Sequence, residues 1–408
     1  MMSHGWSTVR LGEHCTKIGS GATPRGGESV YLEEGVAFIR SQNVYNGHFT
    51  NEGLANLGDE HAEQLRGVTV ESGDILLNIT GDSVARSCLV PDDILPSRVN
   101  QHVAIIRPNP DDFDSKFLGY YLISPFMQET MLSLAGSGGT RKALTKEMIE
   151  HFEVPRPPRA VQGCIADILS GYDDLIENNR RRMALLEEAA RQLYREWFVR
   201  LRFPGHEHTR ITNGVPEGWR KAAAFDAMQV MSGGTPKTTS PDYWDGEIPF
   251  YTPKDSTSES YVLDTEKHLT ELGLKNCNSK LYPKDTIFIT ARGTVGNLNV
   301  AQREMAMNQS SYALAGKEGI PQKFLFCALR EGIQHFQQHA VGAVFDAIIV
   351  DTFKLIPFAI PDQKQVKLFE EAIEPTFRQI ENLLRQNQKL RAARDLLLPR
   401  LMNGDLAS

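Results

Sequence analysis

Positive charge is in short supply in this chain. Its 44 lysines and arginines face 51 aspartates and glutamates, for a formal net charge of −7 and a pI near 5.9. Neutralisation of phosphates by Lys and Arg supplies most of the non-specific affinity for nucleic acid, so a chain of this balance does not hold duplex by charge alone. Cysteine is sparse as well. Cys15, Cys88, Cys164, Cys277 and Cys327 lie far apart with no C-x-x-C pair, which speaks against a zinc ribbon and a disulfide framework and leaves buried small hydrophobes as the expectation. No run approaches the ~20 apolar residues of a membrane span, and residues 1–9 lack a basic region followed by an apolar one, so a cytoplasmic location is expected.

Catalytic signatures are missing too. Gly316-Lys317 is followed by Glu318 and lacks the glycine frame of a phosphate loop. There is no Asn/Asp-Pro-Pro-Tyr/Phe motif to hold a base for methyl transfer, and no Gly-rich strand-to-helix turn for a cofactor. His206-Glu207-His208 sits in a linker without a third ligand, and Asp362-Gln363-Lys364 reads as the chemistry of a helix start. The chain by itself is expected to be non-catalytic and to hold no metal.

What is present is a repeat. Gly21-Ala22-Thr23-Pro24-Arg25, followed by Tyr31 and Phe38, recurs as Gly233-Gly234-Thr235-Pro236-Lys237 with Tyr243 and Phe250. Asp74-Ile75-Leu76-Leu77 aligns with Asp285-Thr286-Ile287-Phe288, Ser83-Val84 with Thr294-Val295, and Asn100-Gln101 with Asn308-Gln309. The offset falls only from 212 at the first proline, Pro24/Pro236, to 204 at the last, Pro157/Pro361. A period of half the chain means two similar modules. The segments after the shared aromatics differ, Arg40-Ser41-Gln42-Asn43 against Thr252-Pro253-Lys254-Asp255, so the modules are expected to bind two different ligands of one class.

With 41% hydrophobic and 23% charged residues over 408 positions, two or three soluble domains are affordable. Residues 1–157 read as short strands (36–40, 75–79, 103–107) between turn clusters, plus a helix over 117–134. Residues 158–200 form a long helix, in which Leu169, Tyr172, Ile176, Asn179, Met183, Leu186, Ala190, Leu193 and Trp197 alternate three- and four-residue steps. Residues 201–216 are a linker, 217–360 the second module, and 361–408 a second long helix with the same alternation from Phe369 through Thr376 and Asn387 to Leu401. Such seams need a partner helix. The expected fold is α+β: two similar α/β modules joined by two long antiparallel helices in a coiled-coil spacer, with internal pseudo-two-fold symmetry. Asn179 and Asn387 would fix register, and Pro375 is expected to kink or loosen the second helix.

These residues resemble the specificity subunits of type I restriction-modification systems. The resemblance covers nearly the whole chain. It rests on Gly-x-Thr-Pro-Arg/Lys at the head of each module, on Ile176-Glu177-Asn178-Asn179-Arg180-Arg181 through Leu193 to Val199, and on the run from Gln386 to Gly404. It implies two target-recognition domains, each reading half of a bipartite, asymmetric DNA site, and helices that set the spacing. It also implies double-stranded DNA, two methyltransferase subunits and two restriction/translocase subunits as partners. S-adenosylmethionine, ATP and Mg would be carried by those partners and no cofactor by this chain. The competing reading is a two-headed scaffold that binds proteins, which the net acidity would suit.

Arg and Lys suit guanine edges, and Asn and Gln suit adenine edges. In the first module the candidate readers are Arg25, Arg40, Gln42, Asn43, Arg86, Arg141 and Lys142; in the second they are Lys237, Lys254, Asp255, Arg292 and Asn297. Asn100-Gln101 and Asn308-Gln309 are equally suited to satisfying backbone groups. Trp197, Phe198, Leu397, Leu398 and Leu401 are more apolar than a two-helix seam can bury and are expected to dock the methyltransferase subunits.

Overall fold

The computed structural model describes residues 6–136, 142–257, 259–292, 295–317, 319–339 and 348–405. The chain divides into two units, Met1–Glu177 with Asn387–Ser408, and Asn178–Gln386.

In the first unit every residue of the strand Ile75–Asn78 is buried. It pairs antiparallel with Ser87–Leu89 and with Val103–Pro108, and Val103–Pro108 pairs in turn with Cys15–Ser20. Alternate side chains serve two cores. Ile75, Leu77 and Ile106 pack with Phe117 and Leu118, whereas Leu76, Val103 and Ile105 pack with Ile39 and Val99. Strands covered on both faces are unbroken apolar runs, which is why residues 75–77 and 103–106 carry no polar alternation, whereas the edge strand Cys15–Ser20 does. A second sheet runs Tyr31–Leu32, Ala55–Leu57, Val36–Ile39, Ser97–Val99, Thr69–Val70, with Val36–Ile39 and Ser97–Val99 parallel. The single helix expected over 117–134 is two, Ser115–Leu122 and Pro125–Gly136. Asp114 opens the first by accepting from the N–H groups of Lys116 and Phe117 at 2.9 and 3.1 Å. Pro125 has no N–H to continue it and starts the next.

The second unit repeats this plan. Met228–Ser232, Ser311–Gly316, Ile287–Thr290 and Leu298–Ala301 are neighbours in the same order as Cys15–Ser20, Val103–Pro108, Ile75–Asn78 and Ser87–Leu89, with Tyr261–Val262 added at the edge. Trp244–Tyr251 lies antiparallel to His268–Leu269 and parallel to Ala306–Met307, as Val36–Ile39 does with Ala55–Leu57 and Ser97–Val99. One detail of the sequence alignment moves by a residue. Ile75 corresponds to Ile287, so Asp285 (φ 68°) matches Gly73 (φ 82°), both left-handed, and Asp74 matches Thr286.

The shared glycines are framework. A Cβ on Gly21 would lie 2.0 Å from the Val99 carbonyl oxygen, and one on Gly233 would lie 2.4 Å from that of Met307. The next residue in each copy, Ala22 or Gly234, donates its N–H to that same carbonyl at 3.1 Å.

The long helices are Arg159–Tyr194, which passes into a π turn at Arg195–Val199, and Gln363–Met402, which runs unbroken through Pro375. Inside the first unit the two segments are antiparallel: Asn387 Nδ2 donates to the Ile176 carbonyl at 3.2 Å, and Arg394 pairs with Asp173, which also accepts from the Tyr120 hydroxyl. Inside the second unit Phe198 meets Phe369 at 4.9 Å between ring centroids. The buried face departs from the strict heptad. Tyr194, Phe198 and Phe377 are buried where Leu193, Trp197 and Thr376 were expected to be, because a 3.6-residue helix drifts from a 3.5-residue repeat and each helix packs on a whole unit besides its partner. The expected linker is also more than a connector: Phe203 is buried and packs on Trp219 at 5.2 Å. Among the described residues no helix is long and apolar enough to cross a membrane, and no group of three His, Cys, Asp or Glu could hold a metal.

Candidate nucleic-acid interface

Three turns meet at the end of the first unit's sheets and enclose a groove of about 470 Å³. Ser41–Asn43 follows the strand Val36–Ile39, Gly81–Ser83 follows Ile75–Asn78, and Asn100 to His102 precedes Val103–Pro108. Gln42, Tyr45, Thr80, Asp82, Arg86 and His102 are among its lining residues. Each turn is fixed by its own chemistry. Asn43 Oδ1 accepts from the Arg40 N–H at 3.0 Å while its Nδ2 donates to the Thr50 and Glu52 carbonyls. Asn100 Oδ1 accepts from the His102 N–H at 3.0 Å. Gly81 and Ala85 adopt φ of 77° and 73°, turning the chain back on itself. The His102 ring meets the Thr80 hydroxyl at 2.7 Å, and the Arg86 guanidinium lies over the Tyr45 ring at 4.8 Å.

This arrangement sorts the candidate readers. Arg86 and Gln42 line the groove, and Lys142 stands beside it, exposed, with its carbonyl accepting from Gly81 N–H. Arg25 is exposed but is not among the lining residues. Two expectations are corrected. Asn43 is fully buried with both ends of its amide engaged on main chain, so it builds the turn and has nothing left for a base. Arg40 clamps the fold: it donates to the Gly53 carbonyl at 2.7 Å and to Glu28 at 3.3 Å and lies over Tyr31. Arg141 and the rest of its glycine loop lie outside the described residues, as does the matching segment 342–346.

In the second unit Asp255 does the work of Asn43. One carboxylate oxygen accepts from Thr252 N–H at 2.8 Å and from its hydroxyl, and the other accepts from Glu266 N–H at 2.7 Å. Asp255 is therefore also framework rather than reader. Lys237, Lys254, Arg292 and Asn297 are exposed. Asn308 repeats the turn of Asn100, accepting from Ser310 N–H at 3.0 Å, so this half of the shared Asn-Gln pair is framework in both units.

Main-chain bonds align the two sites residue by residue. Ile79 N–H donates to His102 O and Ile79 O accepts from Leu144; Ala291 N–H donates to Ser310 O and Ala291 O accepts from Ile348. Arg292 and Ser310 thus stand where Thr80 and His102 stand in the first unit. Sequence reasoning missed Tyr45, Thr80, Asp82 and His102. The turn cluster Thr80-Gly81-Asp82-Ser83 directly after a strand was the available signal.

The apolar residues expected to dock a partner are mostly interior. Phe198 is 7% exposed among Tyr194, Trp219, Phe324 and Phe369, with Trp197 half-buried against Phe369. Leu398 and Leu401 belong to the first unit's core, and Leu397 is half-buried against it. The reason is that the helices pack on sheet-bearing units, which supply more apolar surface than a second helix alone.

A family model described as the type I restriction modification DNA specificity domain matches residues 3–188 and again residues 216–391. The chain belongs to this family and is a specificity subunit of a type I restriction-modification system, the non-catalytic component of such a complex. It is 22% identical over 434 aligned positions to the HindI specificity subunit of Haemophilus influenzae, covering 91% of this chain and 94% of that one. It is 26% identical over 319 positions to the MjaIX specificity subunit of Methanocaldococcus jannaschii, covering 76% and 73%. The fold matches the crystal structure of a type I restriction-modification S subunit from M. genitalium with a TM-score of 0.53, at 17% identity, over 98% of this chain and 96% of that one.

Proposed function

We propose that each unit reads one short stretch of duplex DNA through the turns at the end of its sheets, so that the recognised site has two specific parts that differ from each other. The observation that carries this reading is that one main-chain frame presents Thr80, Arg86 and His102 in the first unit and Arg292, Asn297 and Ser310 in the second. Identical frames with different polar tips are what two readers of different sequences require. The two long helices set the spacing between the parts and dock the subunits that modify DNA. Because Phe198, Leu398 and Leu401 are interior, the docking surface falls to the exposed apolar residues of the helices, Ile168, Leu175 and Leu396 in the first unit and Leu185 in the second. S-adenosylmethionine belongs to two methyltransferase subunits, and ATP and Mg to two restriction/translocase subunits. The partners also supply the phosphate contacts that a net charge of −7 withholds.

The test is methylation mapping by sequencing in cells that express this chain with its modification subunit. A two-part, asymmetric site with an unspecified spacer is expected. Methylation confined to one continuous palindrome would refute the reading.

A further inference from the structure

One position in the candidate interface combines an invariant backbone with a variable side chain. In the first unit Asn78 N–H donates to the Arg86 carbonyl at 2.8 Å, and Ala85 N–H donates back to Asn78 O at 2.9 Å. In the second unit Thr290 N–H donates to the Asn297 carbonyl at 3.0 Å, and Gly296 N–H donates back to Thr290 O at 2.9 Å. The preceding residue is left-handed in both, Ala85 at φ 73° and Gly296 at φ 90°. That conformation is costly for alanine, so the turn is imposed by the surrounding fold. Arg86 and Asn297 are therefore one site occupied by two residue types.

Their polar groups are also uncommitted. Arg98 and Arg107 spend their donors on Ala62 and Ser97 carbonyls or on Asp74, as Arg40 does on Gly53. The Arg86 guanidinium has no hydrogen-bond or ion-pair partner among the described residues, and its contact with the Tyr45 ring, 4.8 Å away, uses none of its N–H groups. The Asn297 side-chain amide is exposed and equally without a partner among the described residues; its main-chain N–H is taken by the Thr290 hydroxyl at 3.1 Å and its carbonyl by the Thr290 N–H. A half-buried arginine whose guanidinium rests over a ring has lost some of the rotamer freedom that base recognition would otherwise have to remove.

Resting on the DNA-reading assignment above, we propose that this position is the specificity determinant of each unit, Arg86 selecting a guanine in one part of the site and Asn297 an adenine in the other. The guanidinium fork matches O6 and N7 of guanine, and the carboxamide matches N6 and N7 of adenine, both in the major groove. The adenine read by Asn297 is distinct from the one methylated, because a base being modified leaves the stack and presents its edges to the enzyme's pocket.

The experiment uses the full chain assembled with its modification subunit, a library of duplexes randomised across the site, and sequencing of methylated products. The wild-type site should hold an obligatory guanine in the first part and an unmethylated obligatory adenine in the second. Arg86→Ala should lower discrimination at that guanine by roughly 5- to 150-fold and leave the second part unchanged. Arg86→Asn should shift the preference there towards adenine, and Asn297→Arg should shift the matching position of the second part towards guanine. Arg86→Lys keeps the charge but loses the fork, and should relax the guanine as alanine does. If Arg86→Ala slows methylation of every sequence alike and Arg86→Lys restores it, Arg86 contacts phosphate and the inference falls. An unchanged motif in all variants overturns it as well, while the two-part reading stands. A wild-type complex that methylates no two-part site overturns both. Should Arg86→Ala fail to fold, Asn297→Ala, at an exposed position, carries the same test on the second part.

Discussion

Phe198→Ala separates the role that helix patterning suggests for this residue from the role that packing gives it. Its ring sits 4.9 Å from Phe369, 5.0 Å from Phe324, 5.1 Å from Tyr194 and 5.6 Å from Trp219, and it is 7% exposed. Truncating a phenylalanine so enclosed removes its transfer energy and leaves a cavity, at a cost of about 3–5 kcal/mol. Edge-to-face contacts of ~0.5–1.5 kcal/mol each are part of that sum and not additional to it. With a urea m-value of about 2 kcal/mol/M, the unfolding midpoint of the second unit should fall by roughly 1.5–2.5 M. Tryptophan fluorescence reads this unit well, since Trp197, Trp219 and Trp244 lie in it and only Trp6 lies in the other. Any loss of complex assembly should follow the loss of folded chain. An unchanged urea midpoint together with lost binding of the modification subunit would refute the core assignment and return Phe198 to the docking surface.

Four further outcomes are expected. Leu396→Asp, at a position 72% exposed, should leave stability within about 0.5 kcal/mol while weakening capture of the modification subunit in pull-down titrations; undiminished capture would remove this face from the docking proposal. Asn43→Ala leaves the Arg40 N–H and two carbonyls without their side-chain partner, so it should destabilise the first unit by about 1–3 kcal/mol in thermal melts and impair its whole half-site instead of relaxing one base. Burial pushes the thiols of Cys15, Cys88 and Cys327 up to about 12, whereas Cys164 is exposed. An aromatic disulfide reagent at pH 8 should therefore label Cys164 first, Cys164→Ser should abolish that phase, and fast labelling of Cys88 or Cys327 in folded chain would contradict their burial. Hydrogen bonds from Arg191 and Gln192 hold the Glu188 carboxyl down to about 2; the stabilisation is complete above its unfolded value near ~4.3 and is lost as pH falls towards 2, so Glu188→Gln should flatten the acid limb of stability against pH.

The fold was legible because the repeat lies in residues whose roles are steric or main-chain. Gly21 and Gly233 cannot carry a Cβ against a neighbouring carbonyl, and Asn100 and Asn308 tie the same turn. Such constraints admit few residue types, so at these positions they show as identity between the copies. The helices were legible for their apolar period, but not the face that each buries within the second unit, because Tyr194, Phe198 and Phe377 answer to a unit whose surface the helix sequence does not contain.

The candidate readers were only partly legible, for a different reason. Arg40, Asn43 and Arg86 are all residues that could address a base, and nothing in their spacing distinguishes them. What distinguishes them is whether their donors and acceptors are already spent. Asn43 is consumed by Arg40, Thr50 and Glu52, and Arg40 by Gly53 and Glu28, while Arg86 is steadied by a ring that takes none of its hydrogen bonds. Asp255 matches Asn43 in that spent role despite its different chemistry, so a difference between the copies does not by itself mark a reader. A reader needs both a side chain that differs and polar groups left free by a backbone that does not. Asn297 and Arg86 meet both conditions at one site, which is why the proposal falls on this pair, with each unit serving as the control for the other.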